Sequence, residues 1–588
     1  MKFDRFLACR GALRATLVAT PFAMSVAMSV AMSGAWAQTP PPVVPFNIGG
    51  ALRQSQEAQK PPVQSPQAAP VLPRLVEPQL ALKDHETLFV RSFAVEGPDL
   101  GLGADVGEIL APYQNRKLTL AAIYEAADKI TTLYRTKGYM LAKAYVPAQD
   151  ARGGVLRIKV VPGEYGTITV RNQSLVRDPV VRETIEQART RSPYIRQDDL
   201  ERVMLLTSDL AGAGMPRMVV APGKQPGTSD FVFDVPEARR VDGYLLADNY
   251  GAPWTGRNEL TGAINVNSPL GFGDKLYAFG QISEDSGLTS GKVSYSLPLG
   301  VSGVRTEFGI FRTTYALGGI YAGLDATGTA DGVTGTLAYA LKRQADESYY
   351  VSGNFTRKVV NDNALGISLN DRTIDLGTLA LTRDSAGNLF GLPITTTGTV
   401  SFTEGHVDIP DPDQRLANML GVDTLGNYSR VNASFLATLG LTDKLSLSTT
   451  FTSQKALFGK SLDTSEQFYL TGFFGVRSFE QGFGGDSGYA VTPELKYALP
   501  GFLAYNHAIG LFTDIGGVQL ENPQFSVTQK EFTQLNDVGL AYYATYEYLP
   551  NRFVVLKAQV AHTYVSSTSV DVLYNVGTKG LVQAGFTF

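Results

Sequence analysis

Cysteine is nearly absent from this chain of 588 residues, the one copy being Cys9. A disulfide framework and a thiolate metal site are therefore excluded. Histidine is almost as scarce: His85, His406, His507 and His562 are scattered at spacings that match no H-x-x-x-H or similar ligand set. Charge is low, at 18% of residues, and balanced at 51 basic against 55 acidic side chains. That balance excludes a strongly basic nucleic-acid binder. Apart from one apolar run near the N-terminus, no segment is long enough to cross a membrane as a helix, so a helical-bundle membrane protein is excluded. No Gly-rich phosphate loop precedes a lysine. Gly485-Asp486-Ser487-Gly488 imitates a serine-protease nucleophile stretch but has no recognisable His and Asp partners. Neither enzymatic activity nor a cofactor or metal is expected.

Glycine and aromatic residues are plentiful, with 60 Gly, 27 Tyr and 30 Phe, the types that many-stranded sheets use in turns and on faces. Residues 1–37 read as an export signal. Lys2, Arg5, Arg10 and Arg14 precede an apolar stretch broken by Pro21, and Ala35-Trp36-Ala37 forms an A-x-A cleavage motif. Residues 38–85 are rich in Pro, Gln and Ala and read as an extended linker with room for one helix, residues 48–60, which Gly49 and Gly50 weaken.

Two copies of a β-α-α-β-β pattern follow, at 86–163 and 164–236. In the first, a strand at 89–95 precedes a helix with Ile123, Ala127, Ile130 and Tyr134 on one face; Gly138 ends that helix, and strands follow at 142–147 and 155–161. The second has a strand at 165–171 and a helix near 179–191, where Asp178 is placed to cap and Pro179 to start. A further helix carries Leu200, Val203, Leu206 and Leu210, Gly214 stands where Gly138 does, and strands follow at 217–220 and 231–235.

From 240 to 588 nearly every segment alternates, as in Val431, Ala433, Phe435, Ala437 and Leu439 with mostly polar neighbours. One face suits hydrocarbon and the other water. Tight turns at 268–274, 299–303, 441–444, 499–502 and 549–552 alternate with longer loops at 314–332, 406–428, 454–489, 519–536 and 565–579. This spacing predicts a transmembrane β-barrel of about sixteen antiparallel strands, with short turns on one rim and long loops on the other. The final strand ends on Phe586 and Phe588 and looks like the insertion signal that outer-membrane assembly machinery reads.

This order of parts resembles the two-partner secretion translocators, the TpsB family of haemolysin-activator type, with POTRA-like repeats before the barrel. The local landmarks are Gly138-Tyr139 and the run from Ala144 to Gln149, including Tyr145 and Pro147, with Leu246-Ala247-Asp248-Asn249-Tyr250-Gly251 on the first barrel strand. In the longest loop, Val476-Arg477-Ser478-Phe479 is similar to the family's V-R-G-F/Y tip, and Phe512, Asp514 and Gly516 are similar to its F-x-D-x-G strand. The resemblance implies that this loop folds back into the lumen and pairs Arg477 with Asp514. Ser478 departs from the usual Gly, a concern if that position needs positive φ. It also implies a bacterial outer-membrane protein with periplasmic N-terminal domains. Such a protein passes an unfolded partner exoprotein, an adhesin or cytolysin, to the cell surface without nucleotide hydrolysis; residues 48–60 would then be either a removable plug on the Pro-rich tether or a disordered tail. An outer-membrane assembly factor of the same superfamily is the alternative; two repeats argue against it.

Overall fold

The computed structural model describes residues 47–62, 70–72, 87–98, 100–151, 153–501, 505–523, 532–567, 570 and 574–588. The export signal at 1–37 and most of the linker lie outside the described residues. The linker helix is present as α1 (Ile48–Ala58), two residues shorter than its expected C-terminal end.

The first repeat contains β1 (Thr87–Val90), β2 (Ser92–Glu96), α2 (Gly103–Leu110), β3 (Arg116–Thr119), α3 (Leu120–Thr136), β4 (Lys143–Tyr145) and β5 (Val155–Val161). The strand expected at 89–95 is two strands, broken at Arg91, whose N–H turns aside to Gly154 O at 2.7 Å. β1 pairs with β3, while β2 joins a sheet ordered β2-β5-β4. The repeat thus has one more strand pair than β-α-α-β-β requires. Ile123, Ala127, Ile130 and Tyr134 are buried along α3, and Gly138 ends it at φ +94, a left-handed conformation suited to glycine.

The second repeat contains β6 (Glu164–Asn172), α4 (Asp178–Arg191), α5 (Gln197–Ser208), β7 (Arg217–Pro222) and β8 (Thr228–Val235), with sheet order β6-β8-β7. Asp178 does not cap α4: it is the first helical residue, and its carboxylate accepts a hydrogen bond from Asn172 at 2.8 Å. The left-handed glycine after α5 is Gly212, φ +91, rather than Gly214; Gly214 instead lies close against Pro236. This repeat is fastened to the barrel rim. Arg343 makes paired bonds to Asp209 at 2.8 and 2.9 Å, and Arg202 donates to the carbonyls of Ser302 and Ala340.

The barrel begins with β9 (Val241–Asp248), β10 (Glu259–Asn267), β11 (Lys275–Ser283), β12 (Leu288–Leu299), β13 (Val304–Ala316) and β14 (Thr327–Arg343). It continues through β15 (Glu347–Ala364), β16 (Ile367–Leu389), β17 (Leu392–Asp408), the rim helix α6 (Pro412–Leu420), β18 (Gly426–Gly440) and β19 (Leu445–Ala456). A small hairpin of β20 (Phe468–Tyr469) and β21 (Gly484–Gly485) stands apart from the wall. The wall is completed by β22 (Ser487–Ala498), β23 (Tyr505–Gln519), β24 (Phe532–Leu549), β25 (Arg552–Val565) and β26 (Thr578–Thr587), which pairs with β9. Sixteen antiparallel strands close the barrel, as the alternation predicts.

Three connections on the long-loop rim are short, β11 turning into β12 through residues 284–287 alone. β13 and β14 extend to leave only residues 317–326 between them, and β15 turns into β16 through Leu365 and Gly366 alone. Ladder pairing continues past the apolar band because a hairpin satisfies its own backbone groups in water. Phe308, Ile310, Leu379 and Leu540 face outward and are each more than 60% exposed.

β26 meets β9 through five Cα pairs, extended by reciprocal backbone bonds between Phe588 and Gly243 at 3.0 and 3.1 Å. Deleting residues 586–588 removes the end of that ladder and should lower the heat-modifiable, folded fraction in outer membranes. Unchanged folded protein would show that the terminal aromatics are dispensable.

Candidate functional site: the barrel lumen

Among the described residues, inward-facing side chains of the wall hold two occupants, α1 and an inner loop at residues 457–486. Asn47 caps α1 by accepting from the N–H groups of Gly49 and Gly50, and accepts from the Tyr469 hydroxyl of the loop at 2.5 Å. Gln54 bonds to Glu259 of β10, Ser55 to Ser290 of β12 at 2.6 Å, and the Tyr244 hydroxyl of β9 donates to Ala58 O at 2.9 Å. Ile48, Ala51 and Leu52 are buried with loop and wall residues in one apolar cluster. Cavities of about 580 and 520 Å³ remain beside the helix.

The inner loop is tied to several parts of the wall. Arg372 of β16 pairs with Asp463, and Glu466 lies between Lys358 of β15 and Arg430 of β18. Burial by itself would raise the Glu466 carboxyl, but Lys358 and Arg430 outweigh it and hold it down at about 2. Because the folded pKa is depressed, this anchor contributes its full stability above the ordinary carboxylate range and loses it only as pH falls toward 2.

At the loop tip, Arg477 Nε donates to Asp514 Oδ2 at 2.9 Å and Nη2 to Oδ1 at 3.0 Å. The guanidinium lies 3.6 Å from the centroid of the Phe512 ring, and Thr492 donates to the same carboxylate at 2.7 Å. Phe512 and Asp514 point inward on β23, and both are buried. Gly516 makes room for the loop: a Cβ there would sit 2.3 Å from Leu470. Val476 and Phe479 are fully buried in the apolar cluster shared with α1. Ser478 is not among the positive-φ residues, so no glycine is required there. Its N–H donates to Asp537 at 2.7 Å, and Thr563 donates to its hydroxyl at 2.8 Å. The protease-like Ser487 instead lies within bonding distance of Lys455 and Glu521 and accepts from the Ala456 N–H.

The remaining landmarks lie elsewhere. Gly138 and Tyr139 form the joint between the repeats, where Gly138 O accepts from Gln197 N at 2.9 Å and Arg196 lies over the Tyr139 ring. The Gln149 amide bonds both backbone groups of Arg157 and reaches Pro147 O, while Tyr145 is partly exposed on edge strand β4. Phe586 and Phe588 belong to the seam between β26 and β9. Asp537 and Glu480 were missed; the only available signal for Asp537 was its position as a charged residue on the lumen face of an alternating strand.

Comparisons with known proteins agree with this architecture. The family model for POTRA domain, ShlB-type, matches residues 88–163, and that for haemolysin secretion/activation protein ShlB/FhaC/HecB matches residues 227–528. The chain is 25% identical over 452 residues to the heme/hemopexin transporter protein HuxB of Haemophilus influenzae strain 86-028NP, covering 74% of this chain and 77% of the relative. It is 24% identical over 423 residues to the outer membrane transporter CdiB of Escherichia coli O6:K15:H31, covering 70% and 69%. The solved structure of CdiB from Escherichia coli superposes with a TM-score of 0.71 at 20% identity, covering 91% of this chain and 96% of that one. A sixteen-strand barrel with α/β repeats and an occupied lumen defines an outer-membrane transporter of the POTRA-barrel class. The chain belongs to the ShlB/FhaC/HecB family of haemolysin secretion/activation proteins. It is an outer-membrane transporter of two-partner secretion, with its N-terminal repeats in the periplasm and a secreted exoprotein as its partner.

Proposed function

We propose that the exoprotein, an adhesin or cytolysin, passes unfolded through the lumen, with no nucleotide hydrolysis, after the two lumen occupants give way. The observation that carries this reading is how α1 and the inner loop are held: by side-chain bonds, apolar contacts and a few isolated backbone bonds, without joining the wall's strand ladder. They can withdraw while the wall stays intact. Edge strands β2, β4, β6 and β7 bound the two repeat sheets and are where an incoming extended segment would add. Folding outside would supply direction. During biogenesis, assembly machinery would read the terminal strand, and lipid would cover the outward apolar belt.

Removing residues 86–235 tests the route. The remaining barrel should conduct ions in planar bilayers but release no partner into the medium; partner release at wild-type level would remove the repeats from the pathway.

A further inference from the structure

The barrel closes on its shortest ladder. β26 is paired to β25 over nine residues, Thr578 to Phe586, but to β9 over only five, Gln583 to Thr587. Residues 578–582, in the half of the seam farther from the repeats, lie beyond the register of β9. Beyond one backbone bond, from Asn249 N to Val582 O at 3.2 Å, two side chains span that gap. The Asn249 side chain imitates a strand, donating to Gly580 O at 3.1 Å and accepting from Val582 N at 2.7 Å. Inside the wall, Glu480 of the inner loop bonds Lys579 of β26 at 2.7 Å and Arg257, just before β10, at 2.6 Å. The Glu480 and Lys579 side chains are about 5% exposed. The loop is also tied to both sides of the seam by its backbone and rings. Glu480 N donates to Tyr574 O at 2.8 Å, the Gln481 amide donates to Tyr250 O at 3.2 Å, and Phe473 stacks on Tyr250 with centroids 3.5 Å apart.

We propose that Glu480 is a positioning residue for barrel closure: it holds the inner loop across the seam between the first and last strands, so that the seated loop strengthens the closure of that seam without being required for it. A buried carboxylate shared by two cations fits this role: parting from Lys579 would leave two charges unpaired out of water, while Arg257, itself partly exposed, ties the loop to the other side of the seam. This inference concerns how the wall is held, and it stands apart from the export route.

The test uses the full chain in outer membranes, with the temperature of barrel unfolding read from heat-modifiable mobility in SDS gels. Glu480→Gln should shift that temperature downward. A seam disulfide, Ala247→Cys with Ala584→Cys, joins directly opposed residues, whose spacing in an antiparallel pair is within disulfide reach. It should restore the wild-type temperature. Glu466→Gln, which breaks a similarly buried loop anchor on another part of the wall, should also lower the temperature, but the seam disulfide should not restore it. Rescue of both variants, or of neither, would overturn the proposal, as would an unshifted Glu480→Gln. If Glu480→Gln fails to accumulate, Lys579→Gln, which leaves Glu480 with Arg257, is read by the same criteria.

Discussion

Arg477→Ala is expected to reach the outer membrane at wild-type level and to secrete less than about a tenth of the wild-type amount of partner. Arg477 is 7% exposed and makes two parallel bonds to Asp514, itself 1% exposed. Asp514 stands directly opposite Asp537 across the β23–β24 ladder, and Asp537 is fully buried. Without the guanidinium, two neighbouring carboxylates face each other, with Thr492 and Ser478 as their nearby donors. Breaking a buried pair from one side costs about 3–5 kcal/mol, and each 1.4 kcal/mol is about tenfold in an equilibrium, so the loop tip should leave its seat most of the time. The strand ladder is untouched, and the anchors at Asp463, Glu466 and Glu480 remain, so the barrel should still assemble. Asp514→Ala should behave alike, and the double variant should be no worse than either, because the two act as one unit. The measurement is partner in the medium normalised to folded transporter, with protease cleavage of the loop alongside. Wild-type secretion by Arg477→Ala would reduce the pair to an ordinary lumen contact.

The barrel was legible because its signal is repeated: each strand alternates, each second connection is tight, and small errors at ends do not change the count. What escaped were contacts made between segments far apart in the chain. Ser478 looked like a departure that needed a compensating backbone. Its partners, Asp537 and Thr563, lie on two later strands, and nothing in the local spacing joins them to a loop tip. Glu480 follows the recognised tip by one residue, but its cations come from the first and last parts of the wall, which only closure brings together. The split at Arg91 and the strand pair it creates depend likewise on a carbonyl more than sixty residues away, at Gly154. α1 was legible as a helix from its freedom from proline, while the reason for its two glycines was not. A Cβ on Gly49 would lie 2.0 Å from Thr464 O and 2.4 Å from the Tyr469 hydroxyl. Close approach to the inner loop, rather than helix propensity, determines that position.

Deleting residues 48–58 should raise single-channel conductance in planar bilayers at least about twofold, because a helix about 10 Å across leaves a lumen of limited width. The increase should fall short of an empty barrel, since the inner loop keeps its own anchors to β15, β16 and β18. Gly49→Ala separates packing from propensity. As a helix former alanine is better than glycine by about 1 kcal/mol, so a helix acting only through its own stability would sit more firmly and conductance would fall or stay level. The space at Gly49 predicts the opposite: the methyl group meets the backbone of Thr464, α1 is driven from Tyr469, and openings become more frequent. Because α1 and the loop share one apolar cluster, ejecting the helix should also expose the loop hairpin to protease from the periplasmic side. Conductance and cleavage that match wild type in both the deletion and Gly49→Ala would leave α1 as a tether with no gating role.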